Sequence, residues 1–239
     1  MAQYFKDWLW NDYAILDSTN DTAKSYAIKG NQKVIITAKE QTKGRGRRGR
    51  TWISPKGNLF MSLLFNSKIS LSDIAFAASL SIAQTIKQQA KELDVKIKWP
   101  NDILINEKKV SGMLIETGEN GIVVGIGVNL ITSPAKNEII YSATNLKNEG
   151  IIISRKDFLA KYIKIFDENI KKCEMFGLSA IREDWLEFAH NLFKNISIRQ
   201  GNNVQNGIFM GIDEQGYLLL KQQQAIAKIS VGDVIEQEE

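Results

Sequence analysis

A run rich in arginine and glycine separates two apolar segments of this chain. The run extends from Gly44 to Arg50 and reads GRGRRGR. The segments on either side, residues 34–38 and 59–65, consist mostly of valine, isoleucine, leucine and phenylalanine, which is typical of buried strands. A hydrophobic core cannot take up four unpaired arginines. The sequence therefore predicts two core strands joined by a charged loop, which is where binding residues are usually found.

The residue types of this loop favour the binding of an anion. Glycine lets backbone N–H groups approach a ligand closely, and arginine offers a planar fork of donors to phosphate or carboxylate. A run of this composition is also typical of nucleic-acid patches. In that alternative, Arg45 to Arg50 would contact phosphates and Trp52 would stack on a base of RNA.

Two further polar segments lie close to predicted strand and helix ends. Ser18-Thr19-Asn20-Asp21 has the pattern of a helix cap, which also places hydroxyl, amide and free N–H groups at a positive helix end. Residues 98–102, KWPND, end an alternating strand at Pro100. At this point the triplet can be a simple cap or a binding site.

The remaining pattern predicts an α+β protein with a small all-β end. Helices are expected at residues 18–30, 70–93, 154–176 and 179–190, and a single short strand within residues 1–17. Residues 102–105 and 110–116 form a predicted hairpin, and residues 122–128 a strand whose glycines indicate something packed against its backbone. From about residue 194 the apolar period changes to two, with strand segments at 196–198, 207–212, 217–220 and 225–229. We expect domains at 1–193 and 194–239, the second a small antiparallel barrel.

Composition excludes several classes of protein. The chain has 239 residues and a net charge of +4, for which the arginine loop accounts without a nucleic-acid partner. Cys173 is the one cysteine and His190 the one histidine, so neither a disulfide nor a His/Cys metal site is expected. We interpret Cys173 as an inert small residue and His190 as a helix C-terminal cation or a surface residue. No segment resembles a signal peptide or a transmembrane span, so we expect a cytoplasmic protein without a membrane partner.

Five motifs in order resemble those of biotin protein ligases. They are GRGRRGR at 44–50, KWPND at 98–102, STN at 18–20, KVSG at 109–112 and GIGVN at 125–129. The resemblance implies a central mixed sheet with flanking helices, as in class II synthetases, and an SH3-like C-terminal domain. Lipoate and octanoate ligases share the catalytic fold but lack the arginine run, and they remain the nearest enzyme alternative.

The resemblance also implies the activity of a biotin–[acetyl-CoA-carboxylase] ligase. Biotin and ATP form biotinyl-5′-AMP, and biotin then passes to a lysine of the biotin carboxyl carrier domain of acetyl-CoA carboxylase. The Mg²⁺ ion is expected to be bound through ATP and not by a protein metal site. No covalent enzyme nucleophile is needed, which agrees with a sequence without a Ser/His or Cys/His constellation.

The family's site residues can be carried over to matching positions. Biotin would be bound by Ser18, Thr19, Asn20, Gln41, Arg45, Gly46, Arg47, Lys109, Gly112 and Gly125. ATP would be bound by Arg47, Arg50, Trp52, Lys98, Asn101, Lys109 and Asn129. Lys109, Arg47 and Asp102 would be catalytic. Asp102 would orient or deprotonate the acceptor lysine, or else form a salt bridge with an arginine of the loop.

The chain departs from larger family members near its start. Those members carry an N-terminal winged helix-turn-helix, and Ser18 comes too early here to leave room for one. We therefore expect a ligase without repressor activity and without a nucleic-acid partner. The resemblance allows a homodimer paired through the central sheet. Residues 131–150 are either a nucleotide-side loop or a plain connector.

Overall fold

The computed structural model describes residues 3–5, 7–118, 120–135, 141–223 and 225–235. In this part of the chain, an eight-stranded mixed sheet carries helices on both faces, and a five-stranded antiparallel sheet follows. The predicted α+β class with a small all-β end is confirmed. None of the described helices is both long and apolar enough to cross a membrane.

The large sheet is built from the apolar runs that the sequence marks as strands. Its strands are β1 (Gln3–Phe5), β2 (Trp8–Tyr13), β3 (Val34–Ala38), β4 (Leu59–Phe65), β5 (Val95–Lys98), β6 (Asp102–Ile105), β7 (Lys108–Gly118) and β8 (Gly121–Val128). Their order is β1-β2-β3-β4-β8-β7-β6-β5, with β2 and β3 parallel. The single strand expected within residues 1–17 is wrong, because the chain folds back there into an antiparallel pair.

Four described helices cover the two faces of this sheet. They are α1 (Thr19–Ile28), α2 (Leu71–Lys87), α3 (Arg155–Phe176) and α4 (Ser179–Glu187). The larger core lies between α2, α3, α4 and one face, where Met61, Leu63 and Phe166 are buried. Ala23 and Ala27 of α1 pack on the opposite face against Ile36 and Leu64. The central strands are thus apolar on both faces, as their continuous hydrophobic runs predict.

Helix α1 starts as the sequence predicts. The side chain of Ser18 accepts a hydrogen bond from the backbone N–H of Asp21, and Gly30 follows the helix with a φ of 82°. A capped helix start leaves Thr19 and Asn20 in its first turn, next to backbone N–H groups that the helix itself does not use.

Two helices end earlier than their apolar patterns predict. Helix α2 stops at Lys87 and not near Leu93, because the chain must turn back to enter β5 at Val95; the Lys87 ammonium then donates to the carbonyl of Leu93. Helix α4 stops at Glu187, and its N-cap is Leu178, since the Ser179 hydroxyl donates to the carbonyl of Phe176. Tertiary packing overrides local propensity at both ends.

The interpretation of His190 as a surface residue is wrong. It lies beyond the end of α4 and is only 8% exposed. Its backbone N–H donates to the carbonyl of Ile97 in β5, and its Nε2 lies 2.6 Å from Glu107 Oε2. Cys173 is buried as expected, and burial raises the pKa of its thiol to about 12, so it carries no reactive thiolate at neutral pH.

The small sheet contains one strand more than its sequence pattern indicates. Its strands are β9 (Asn195–Gln200), β10 (Asn203–Ile212), β11 (Leu218–Gln222), β12 (Ala225–Ile229) and β13 (Asp233–Ile235). Their order is β12-β11-β10-β9-β13, all antiparallel. The short strand β13 is specified by pairing with β9, where Asp233 lies opposite Arg199, and not by a local apolar run.

Candidate functional site

A cavity of about 1240 Å³ lies between the large sheet, the arginine loop and the small sheet. Fifteen of the predicted site residues line it, together with Asp233 and other residues of the small sheet. The fifteen are Ser18, Thr19, Asn20, Gln41, Arg45, Gly46, Arg47, Arg50, Trp52, Lys98, Asn101, Asp102, Lys109, Gly112 and Gly125. The structure thus brings together every predicted site residue except Asn129, which lines a small neighbouring cavity with Trp52 and Lys109.

One end of the cavity carries neutral polar groups. The Gln41 carbonyl oxygen accepts from the backbone N–H of Thr19 at 2.8 Å and from its hydroxyl at 3.0 Å. The Gln41 amide nitrogen donates to Ser54 Oγ at 3.0 Å. Because the Thr19 N–H can only donate, these contacts determine which way the Gln41 amide points.

Asn20 is held by two residues that the sequence did not single out. Its Nδ2 donates to Glu116 Oε2 at 2.6 Å, and its Oδ1 lies 2.6 Å from the hydroxyl of Ser62. Ser62 stands in the middle of the apolar strand β4, where a hydroxyl needs a partner. Ser62 could have been predicted as a site residue, because it is the only polar residue of an apolar strand. The residues around Glu116 give no comparable indication.

Three glycines make room for these side chains. A Cβ at Gly125 would lie 2.1 Å from Asn20 Oδ1, and one at Gly127 would lie 2.3 Å from Trp52 Nε1. A Cβ at Gly112 would lie 3.0 Å from Lys109 Cε. The prediction that something packs against the glycines of β8 is confirmed.

Gly125 and Gly127 also place Asn20 and Trp52 next to each other on β8. Alternate residues of a strand face the same side and lie roughly 6–7 Å apart. Asn20 therefore packs on β8 one such step away from Trp52, and Lys109 follows beside Gly112, which pairs with Gly127.

The arginine loop is folded back on itself. The N–H of Gly46 donates to the carbonyl of Arg50, and the N–H of Trp52 donates to the carbonyl of Gly44. A Cβ at Gly44 would lie 2.4 Å from the carbonyl oxygen of Trp52, so only glycine fits there. Arg45 forms a two-pronged ion pair with Asp21 at 2.6 and 2.7 Å.

The other three arginines converge on Asp233 of β13. Arg48 Nη1 lies 2.9 Å and Arg47 Nη1 3.6 Å from its carboxylate, and Arg50 also donates to it. Arg47 additionally donates to Asn101 Oδ1 at 3.0 Å. Asp233 is only 18% exposed, so the small sheet supplies a counter-charge to the loop. No local sequence signal marks Asp233 as a partner of the loop, since it is separated from Arg48 by 185 positions.

We expect Asp233→Asn to loosen the arginine loop. Without the carboxylate, three guanidinium groups repel one another, and trypsin should cut between Arg45 and Arg50 about three- to fivefold faster, as fits the loss of up to about 1 kcal/mol at a partly exposed ion pair. The difference should shrink as salt is added. Glu214→Gln, which removes an exposed charge from the turn between β10 and β11, is the control. Equal cleavage rates for both variants would contradict a role of Asp233 in holding the loop.

Lys109 occupies the cationic end of the cavity. Its Nζ lies 2.7 Å from Asp102 Oδ1, 5.3 Å from the centre of the Trp52 ring and 4.7 Å from that of Tyr141. Its side chain is only 12% exposed, so its charge is poorly screened by solvent. The expected salt bridge between Asp102 and an arginine of the loop is wrong, because the carboxylate pairs with Lys109.

Part of the 131–150 segment belongs to the wall of the cavity. The N–H of Lys109 donates to the carbonyl of Ser142, and the N–H of Thr144 donates to the carbonyl of Lys109. Tyr141 and Ser142 line the cavity. Residues 136–140 lie outside the described part of the chain.

Asn101 and Asn129 are both anchored to backbone. Asn101 Nδ2 donates to the carbonyl of Met113 at 2.7 Å, which leaves its oxygen to Arg47. Asn129 Nδ2 donates to the carbonyl of Thr144, and its Oδ1 has no hydrogen-bond partner among the described residues. The Trp52 indole N–H, also buried, likewise has none there. Buried polar groups are normally paired, so these two unpaired atoms beside the cavity are exceptions.

Family models match both parts of the chain. Residues 13–131 match the model described as "Biotin/lipoate A/B protein ligase family", and residues 192–235 match "Biotin protein ligase C terminal domain". A similar structure is that of a biotin protein ligase from Aquifex aeolicus in complex with biotin and ATP. Its TM-score is 0.85 at 30% identity, over 97% of this chain and 98% of that chain.

Curated relatives point to the same family. The chain is 33% identical over 218 residues to "Biotin--[acetyl-CoA-carboxylase] ligase" of Paracoccus denitrificans, covering 86% of this chain and 91% of that protein. It is 32% identical over 233 residues to "Bifunctional ligase/repressor BirA" of Bacillus subtilis, covering 92% of this chain and 71% of that protein. With this cavity, these models and these relatives, the chain belongs to the biotin protein ligases of the Biotin/lipoate A/B protein ligase family.

Proposed function

We propose that this protein is a biotin–[acetyl-CoA-carboxylase] ligase. The observation that carries the proposal is the arrangement of the cavity, with neutral hydrogen-bonding groups at one end and Lys109 and Arg47 at the other. Biotin has the matching arrangement, since its ureido ring is polar and uncharged and its side chain ends in a carboxylate. The curated relative from Paracoccus denitrificans bears the same activity in its name.

In the first step, a biotin carboxylate oxygen attacks the α-phosphorus of ATP. The bond between the α-phosphorus and the bridging oxygen breaks, and pyrophosphate leaves. Both reactants are anionic, so they must be held together and neutralised. Lys109, paired with Asp102, and Arg47, which donates to the neighbouring Asn101, would supply this charge, and Mg²⁺ would enter with the ATP phosphates.

In the second step, the neutral amine of a carrier lysine attacks the acyl carbon, the bond between that carbon and the phosphate oxygen breaks, AMP leaves, and the amine loses a proton to solvent. We assign Asp102 an orienting role, because its Oδ1 already binds Lys109 at 2.7 Å. The carboxylate would keep Lys109 at the acyl phosphate through both steps. The acceptor lysine would belong to a biotin carboxyl carrier domain.

The substrate contacts are carried over from the family resemblance, and the position of the residues around one cavity supports them. Ser18, Thr19, Asn20, Gln41 and Gly125 would bind the ureido end of biotin, while Arg45, Gly46, Arg47, Lys109 and Gly112 would enclose its side chain and carboxylate. ATP would contact Arg47, Arg50, Trp52, Lys98, Asn101, Lys109 and Asn129. The unpaired Trp52 N–H and Asn129 oxygen support this side for the nucleotide.

We also propose a boundary between two domains and a cellular compartment for this protein. We place the division near residues 193 and 194, so that the small sheet closes one side of the cavity through Asp233. We also place the enzyme in the cytoplasm. Its one cysteine, Cys173, is free and buried, so the fold does not depend on a disulfide or on an oxidising compartment.

Mass spectrometry of a carrier domain tests the proposal directly. Incubation with this protein, biotin and Mg-ATP should add one biotin to one lysine, and omission of ATP or replacement of that lysine by arginine should abolish the adduct. A lipoyl adduct without a biotinyl adduct would show that the protein acts as a lipoate ligase and not as a biotin ligase. Failure with both acids, together with salt-sensitive retention of RNA, would refute the ligase proposal.

A further inference from the structure

Glu116 of β7 is a charged residue in the site for which the proposed reaction has no role. Its Oε2 accepts from Asn20 Nδ2 at 2.6 Å, its Oε1 pairs with Lys24 Nζ at 2.7 Å, and Arg45 Nη2 lies 3.3 Å from Oε2. The carboxylate therefore lies between the ring-binding end of the cavity and the arginine loop.

Two cations keep this carboxylate ionised and in place. Burial by itself raises the pKa of Glu116, but the hydrogen bonds from Lys24 and Asn20 and the charge of Arg45 outweigh it, and the pKa lies below its usual range. An ionised carboxylate can only accept hydrogen bonds. Whatever group faces Oε2 must therefore be a donor.

This requirement determines the orientation of the Asn20 amide. The oxygen and nitrogen of an amide have nearly the same size, so their partners decide which way the group points. With Nδ2 held by Glu116, Oδ1 must lie beside Ser62 and the backbone of Gly125. Asn20 is only 5% exposed, so its amide contacts are made chiefly with protein groups.

The hydroxyl of Ser62 leaves one acceptor near Asn20 unfilled. It lies 2.6 Å from Asn20 Oδ1 and 2.8 Å from Thr19 Oγ1, and it has a single hydrogen to donate. The proton of the Thr19 hydroxyl is directed to Gln41. Either Asn20 Oδ1 or Thr19 Oγ1 therefore receives no proton from Ser62 and can accept a hydrogen bond from an N–H group of a bound ligand.

We propose that Glu116 is a positioning and specificity-determining residue, which fixes the Asn20 amide with its oxygen available to a ring N–H of the substrate. The inference rests on the proposed ligase function. It predicts selectivity for a cyclic urea with free N–H groups over a ring in which an alkyl group replaces the hydrogen. If the amide could turn, its NH₂ group would face the substrate donor, and this selectivity would fall.

Glu116→Gln tests the role, because a glutamine amide can present either an oxygen or an NH₂ group to Asn20. Carrier labelling is measured with biotin and with biotin methylated on one ureido nitrogen. We expect the KM for biotin to rise about tenfold, as fits the loss of a charge-assisted hydrogen bond. The KM for ATP should stay within about twofold, and the ratio of the two kcat/KM values should fall about tenfold.

The controls separate this role from a general loss of structure. Glu183→Gln, a change of the same type on the exposed side of α4, should leave all values unchanged. Glu116→Asp keeps the charge but shortens the reach, and it replaces the glutamine variant if that protein does not fold. An equal decrease of kcat/KM for both substrates, or an unchanged ratio, would overturn the inference, whereas a wild-type protein that labels no carrier would refute the ligase function itself.

Discussion

Lys109→Ala is expected to lower kcat for carrier labelling by about 10²- to 10³-fold, the usual cost of removing one preorganised charge from a developing anionic centre. The ammonium lies 2.7 Å from Asp102 and is shielded by the rings of Trp52 and Tyr141. Its removal leaves Asp102 as an uncompensated negative charge next to two anionic substrates. Pyrophosphate release and carrier labelling, followed separately, would locate the defect in the first step.

Lys108→Ala provides a matched control for this variant. Lys108 is the preceding residue in β7 and is exposed, so the same substitution there removes a charge outside the cavity. Its kcat should stay within about twofold of the wild type, as is usual for surface substitutions. If Lys109→Ala behaved like Lys108→Ala, the proposed role of Lys109 at the acyl phosphate would be wrong.

Gly125→Ala is expected to raise the KM for biotin at least about tenfold, since overpacking of a filled site costs about 1 to 3 kcal/mol. The new methyl group would lie 2.1 Å from Asn20 Oδ1. Asn20 has no free direction in which to move, because Ser62 and Glu116 hold both ends of its amide. Gly125 does not have a positive φ, so the effect is steric and involves no backbone strain.

Gly118→Ala is the control for this substitution. Gly118 lies in the neighbouring strand β7, and a Cβ there would meet its nearest atom at 3.8 Å, an ordinary contact. Steady-state kinetics and thermal unfolding should be measured for both variants. A KM for biotin that is unchanged in Gly125→Ala, with Tm unchanged as well, would show that the Asn20 side chain has more freedom than its contacts imply.

The charged loop illustrates how far sequence reasoning extends. Its location between β3 and β4 follows from composition alone, because the apolar runs must be buried and the arginines must not. Its partners do not follow from composition. Arg45 pairs with Asp21 and Glu116, and the other three arginines pair with Asp233 in a strand that the local pattern did not predict.

Local rules account for what the sequence determined by itself. The Ser18 cap, the long core strands, the hairpin of β6 and β7 and the close packing on β8 depend on residue types within a few positions of one another. The five motifs also indicated which residues would share one cavity, although Asn129 lies beside that cavity and not in it.

Only the tertiary structure decided the contacts between distant segments. The pairing of Lys109 with Asp102, the placement of Ser62 and Glu116 around Asn20, and the ends of α2 and α4 depend on where the chain returns after many residues. Helix capping and strand alternation act over a few positions, whereas Arg48 and Asp233 are 185 positions apart. Such pairs form because the packing of the two sheets brings their charges together. The residues next to them in sequence do not indicate which distant segment will lie nearby.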